Sequence, residues 1–216
     1  MDIAWIGHAT FRLRGRDAAV VMDPAPSSTG FRLNRPQADV VTVSNPAAEH
    51  SWSDGVGGEW KHCLSGPGEF EIKNVLVTGV ETPGGPDQDN AGRNIAFVVT
   101  IDDLIVAHLG DMTATPSPAA LEELNRADVV LLPIGGNGHM DAGTAAEVMG
   151  LLEPPLVIPM LYKAGSAKAR LDGIEAFLKA TGATMPETVE NHVNLTRRDL
   201  TETTTVLVLN PRGETD

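Results

Sequence analysis

Short alternating runs of apolar and polar residues dominate the first half of the chain. Residues 2–6, 11–14 and 18–22 are rich in β-branched and aromatic side chains, and Gly15-Arg16-Asp17 predicts a hairpin between the last two. Further strands are expected over 39–43, 61–65, 69–72 and 75–80, broken by Gly66-Pro67-Gly68 and Lys73-Asn74. Runs 95–101 and 104–108 flank Asp102-Asp103, a second hairpin signal. Helical spacing begins at Ser117-Pro118 and runs to about 126, with Pro118 in a first turn where its missing N–H costs nothing. A second helix is expected from Asp141 or Ala142 to Leu152, stopped by Pro154-Pro155. A third spans 167–180, where Leu171, Ile174 and Leu178 share a face and Gly182 lies just beyond. The apolar runs 129–133 and 156–159 read as buried strands, and the tail returns to β at 189–195 and 204–209. Strands first and strand–helix alternation afterwards, with no linker, predict one α/β domain over 1–216, its N-terminal half rich in β-structure. The Pro- and Gly-rich segment 82–92 is the one stretch expected to be mobile.

Composition narrows the partners. A chain of 216 residues with 42% hydrophobic content is long enough for a sizeable core. A formal net charge of -13 argues against a nucleic-acid surface, which needs clustered Lys and Arg, and against anionic membranes. The single cysteine, Cys63, excludes an internal disulfide framework and fits a reducing cytoplasm. The start carries Asp2 where a secretory leader would carry basic residues, and no segment approaches the roughly 20 apolar residues of a membrane span. The expectation is therefore a cytoplasmic protein with no nucleic-acid or membrane partner.

The chemistry concentrates around Val41-Thr42-Val43-Ser44-Asn45-Pro46-Ala47-Ala48-Glu49-His50, a strand-like run closing in a short loop. With Trp5-Ile6-Gly7-His8-Ala9, Met22-Asp23-Pro24, Gly66-Pro67-Gly68-Glu69-Phe70, His108-Leu109-Gly110-Asp111, Pro133-Ile134-Gly135-Gly136 and Ile158-Pro159-Met160-Leu161-Tyr162, it forms an ordered set. The set resembles the metallo-β-lactamase superfamily, in the short branch similar to ascorbate-6-phosphate lactonase. The resemblance implies a four-layer αββα sandwich with a site at one edge. It also implies two metal ions, the first held by residues at positions Asn45, Ala47 and Gly84, the second by Glu49, His50 and Leu161, with Asp111 bridging.

Most of those positions carry the wrong chemistry for a metal. Hydrolytic ions need imidazole or carboxylate donors and an open position for water. Ala47 and Gly84 have no side-chain donor, Leu161 is apolar, and a neutral Asn45 amide substitutes poorly for imidazole. At about 3 kcal/mol per ligand, losing three ligands costs the first ion on the order of 9 kcal/mol. The second position retains Glu49, His50 and Asp111, an oxygen-rich set that suits manganese or magnesium better than zinc.

Two outcomes are consistent with this pattern. The first is a metallo-β-lactamase-fold protein without the two-metal centre and without a cofactor, serving as a binding or assembly component for a protein or small molecule, with homo-oligomerisation compatible. The second is a one-metal hydrolase of a lactone or phosphorylated small molecule, with Glu49, His50 and Asp111 as ligands and Asp111 and His50 as catalytic groups. His8 is a supporting or replacement donor, or a histidine that fixes the signature loop. His139 either reaches the same cleft or is a loop residue before a helix. Acid–base catalysis by His50 and a carboxylate without metal is a third possibility.

Overall fold

The computed structural model describes residues 1–84 and 92–214. In chain order the strands are β1 (Asp2–Gly7), β2 (Thr10–Arg14), β3 (Ala19–Met22), β4 (Val40–Thr42), β5 (His62–Leu64), β6 (Gly68–Ile72), β7 (Val75–Pro83), β8 (Arg93–Ile101), β9 (Leu104–His108), β10 (Val129–Pro133), β11 (Leu156–Met160), β12 (His192–Asn194) and β13 (Thr205–Val206). The helices are α1 (Pro118–Leu124), α2 (Ala142–Leu152) and α3 (Glu175–Thr181).

Two sheets face one another, ordered β12-β1-β2-β3-β4-β5 and β13-β11-β10-β9-β8-β7-β6. The predicted hairpins form: β2 pairs antiparallel with β3, and β8 with β9 through Asp102 and Asp103, both at positive φ. Period-two alternation puts Ile3, Trp5, Phe11 and Leu13 into the main core with Phe97, Val99 and Leu131 from the second sheet. β10 and β11 are buried along their whole length, as expected of parallel strands covered on both faces. The result is an α/β sandwich rich in β-structure. All its α-helices among the described residues come after residue 117.

Outside the first sheet, Ile6, Val21, Val41 and Val43 form a second core with Leu33, Ala38, Val56 and the partly buried Trp60. The chain covering that side has only two 3-10 turns, Ser27–Thr29 and Ser53–Gly55. Pro26, Pro36 and Pro46, with Gly30, Gly55, Gly57 and Gly58, break any longer helix there.

Helix ends match the sequence signals. Ser117 Oγ accepts the Ala120 N–H at 3.3 Å, and Asp141 accepts from Gly143 and Thr144 N–H, each at 2.9 Å. The helix expected over 167–180 is shorter. Residues before Glu175 spend their backbone groups on other loops: Lys168 N–H donates to Thr29 O at 3.0 Å and Asp172 N–H to Gly135 O at 2.7 Å. Tertiary bonding overrides the periodic pattern there. The tail strands are also shorter than expected, at His192–Asn194 and Thr205–Val206. Of the segment expected to be mobile, 85–91 lies outside the described residues.

Candidate functional site

The site residues sit where strands end. β1 runs into His8, β3 into Asp23, β4 into Ser44 and Asn45, β9 into Asp111, β10 into the His139 loop and β11 into Leu161. β3 and β4 are parallel, as are β9, β10 and β11, so their C-terminal ends open on one edge of the sandwich.

Asp23 is the anchor. It is completely buried; its Oδ1 accepts the Ser44 N–H at 2.7 Å, and its Oδ2 takes the Ser44 hydroxyl and meets His50 Nδ1 at 2.8 Å. Burial alone would raise the Asp23 pKa. His108, His50 and Ser44 outweigh it and hold the carboxyl below its ordinary value. Burial would likewise lower His50, but its bond to Asp23, with smaller help from Asp111 and Glu49, raises it. An ionised carboxylate only accepts, so His50 Nδ1 donates and Nε2 carries the lone pair when the ring is neutral.

A second carboxylate–imidazole pair lies beside the first. Asp111 Oδ1 and His139 Nδ1 are 2.5 Å apart, and the Asp111 N–H donates to Asn94 Oδ1 at 2.9 Å. Fully buried Asn94 also donates to Thr82 Oγ1 and Leu109 O, both at 2.8 Å, fixing the turn that presents Asp111. Gly110 makes that turn possible. Its φ is +61°, and a Cβ there would overlap Ser44 Cβ and stand 2.5 Å from Asn94 Oδ1. His108 braces the same turn, with Nε2 donating to Ala9 O at 2.7 Å and Nδ1 accepting from Gly110 N–H at 3.2 Å.

His8 completes the cluster. Its ring centroid is 5.1 Å from that of His50, its φ is 54°, and its buried Nδ1 has no hydrogen-bond partner among the described residues. Burial first, then His50 and His139, holds its pKa well below the ordinary value, so the ring is neutral. Its carbonyl accepts from Trp5 Nε1 at 3.0 Å and from Leu161 N–H at 3.2 Å.

The residues brought together are thus His8, Asp23, His50, Asp111 and His139. Glu49 is not among them; it is exposed. Among the described residues no group of three or more His, Cys, Asp or Glu side chains is arranged to hold a metal ion. Asn45 Oδ1 accepts the Ala47 N–H at 2.8 Å. Leu161 is fully buried, and a Cβ at Gly84 would stand 2.6 Å from the Arg93 carbonyl carbon, so that backbone has no room for any side chain.

Sequence reasoning missed Asp23, Ser44 and Asn94 as site residues. Asp23 had a signal, an acid directly after a buried strand in Met22-Asp23-Pro24. Beside Ser44 opens a cavity of about 190 Å³, with Arg93 as its one charged wall residue.

A model of the beta-lactamase superfamily domain matches residues 2–161, and the chain belongs to that superfamily. It is similar to a protein of Thermotoga maritima provisionally described as a Zn-dependent hydrolase of the metallo-beta-lactamase superfamily, at 31% identity and a TM-score of 0.76, covering 97% of this chain and 98% of that one. It is 28% identical over 194 residues to a UPF0173 metal-dependent hydrolase of Archaeoglobus fulgidus, covering 75% of this chain and 83% of the relative. An isothiocyanate hydrolase from Delia radicum gut bacteria shares the fold at 12% identity, with a TM-score of 0.67 over 99% of this chain and 98% of that one.

Proposed function

We propose that this chain is a metal-free member of its superfamily that binds a small polar ligand at the edge where His8, His50 and His139 meet. One observation carries the reading: the donors that remain are engaged with one another, Asp23 with His50 and Asp111 with His139, and Glu49 stands outside in solvent. The buried His8 Nδ1, which meets no hydrogen-bond partner among the described residues, adds a polar atom that a ligand atom would satisfy.

The test is elemental analysis of protein purified in turn with zinc, manganese and magnesium, alongside melting temperatures with and without each ion. The expected result is far less than one equivalent of metal and no shift in melting. A stoichiometric ion at ordinary bonding distance would end this reading.

A second reading is favoured by His50, because a carboxylate that fixes Nδ1 leaves Nε2 oriented as in many metal-binding histidines. Relatives described as metal-dependent hydrolases support it. It makes the protein a one-metal hydrolase on Glu49, His50 and Asp111, with a lactone or phosphorylated small molecule as substrate. Turnover of such substrates that disappears in Asp111→Ala would establish it; turnover untouched by that change would remove it.

A further inference from the structure

A cavity of about 440 Å³ opens on the outer face of the first sheet, and its charged lining is entirely arginine: Arg12, Arg32, Arg35 and Arg212. The chain has 16 Lys and Arg against 29 Asp and Glu, so a quarter of its cations face one hollow that no carboxylate lines. Among the described residues none of the four forms an ion pair, whereas Arg16, Arg93, Arg126 and Arg197 each do.

The walls are held by backbone. Arg212 N–H donates to Trp5 O at 2.8 Å, Gly213 N–H to Ile6 O at 2.8 Å, and Arg32 N–H to Gly213 O at 2.6 Å, so Arg32 and Arg212 flank one short bonded strap. Asn34 and Arg35, at φ 54° and 47°, turn the opposite wall. Arg12 lies across from Ala4 in the β1–β2 register, and its Nε donates to Gln37 O at 3.1 Å. Its terminal nitrogens have no partner among the described residues. Burial, then the neighbouring Arg14, lowers the Arg12 pKa; Arg212 adds to this, and Asp2 and Asp39 oppose it.

Gathering unpaired guanidinium groups over an apolar floor is unfavourable unless something negative joins them, and the planar fork matches oxyanions in pairs. The volume falls in the range of small-molecule sites. We infer that this hollow binds a small molecule carrying two or more oxyanion charges, phosphate or carboxylate. None of these residues belongs to the His8–His50 cleft, so the hollow and the cleft can be tested independently.

Calorimetric titration of the full chain with pyrophosphate and, separately, citrate tests it. The expected result is one-to-one binding of at least one of them, weakened about tenfold or more in both Arg32→Gln and Arg35→Gln. Both arginines are exposed, so these changes leave the fold intact. Preference for pyrophosphate assigns the natural ligand to phosphate esters, and preference for citrate assigns it to polycarboxylates. Arg197→Gln, which removes an exposed arginine paired elsewhere with Asp128, serves as control and leaves affinity unchanged. Saturation by neither probe, or equal weakening by the control, overturns the inference.

Discussion

Asp23 holds the Ser44 N–H, the Ser44 hydroxyl and His50 Nδ1 at once, and that triple demand fixes how His50 behaves. Removing the carboxylate leaves a buried imidazole without its partner, which costs far more than a surface pair returns. Asp23→Asn is expected to destabilise the chain by about 3–5 kcal/mol, measured by urea unfolding at neutral pH. A loss under about 1 kcal/mol would mean that Asp23 contributes no more than a surface ion pair. The histidines also set the response to acid. His8 and His108 are held below the ordinary 6.5, both by burial first. The unfolded chain therefore binds protons that the folded one refuses, so stability falls as the pH drops below 6.5. His50 is raised and acts in the opposite sense: its contribution is complete below 6.5 and fades as the pH rises through its folded value. His8→Asn, in a left-handed position that Asn tolerates, removes one term and keeps the backbone. The unfolding free energy of this variant is expected to fall less steeply between pH 6.5 and about 5, by up to about 1.4 kcal/mol per pH unit, while an unchanged slope would show that His8 does not titrate in folding.

At the level of elements, the cleft depends on the turn after each strand rather than on the strands themselves. Gly110 is the tightest such junction, with Ser44 and Asn94 against it and Asp111 next in line. Gly110→Ala combines a left-handed backbone, about 1–2 kcal/mol, with overpacking of about 1–3 kcal/mol. A loss of about 2–5 kcal/mol in thermal or urea unfolding is expected, together with a shifted His139 imidazole signal in NMR as Asp111 moves. Wild-type stability with an unmoved His139 signal would count against the tight turn. The strands themselves were legible, because alternation in 2–6 and 11–14 and continuous apolar runs in 129–133 and 156–159 reflect burial directly. The third helix was half legible. Leu171, Ile174 and Leu178 are buried as the pattern asked, yet residues 167–173 bond to the Gly30 and Gly135 loops, a long-range demand that local spacing does not record. The cleft was read by position, through His8, His50, Asp111 and His139. Its pairing was not, since Asp23 and His50 stand 27 residues apart and only the β3–β4 pairing brings them together.

Across the whole molecule, the sandwich is built by apolar packing away from its edge: the two sheets meet in one buried cluster around Trp5 and Phe97. The scaffold should therefore accept donors returned to it. Glu49→Asp with Leu161→His adds a shorter carboxylate and an imidazole beside His50 and Asp111, at positions the superfamily resemblance assigns to one ion. Leu161 already lies at φ 54°, where histidine is tolerated better than most residues, and its fully buried site keeps water from an imidazole except through a ligand. Gly84 is left alone, because its backbone cannot carry a Cβ without moving Arg93. At zinc a hundredfold above the dissociation constant, binding stabilises the folded state by about 2.7 kcal/mol, and at about 2–4 °C per kcal/mol for a chain this long the melting temperature of the double variant is expected to rise by roughly 5–10 °C. The parent chain is expected not to move. An equal zinc response in the parent would mean that the existing cleft already holds the ion, and no response in the variant would mean that the pairing of Asp111 with His139 closes the cleft to metal even when four donors surround it.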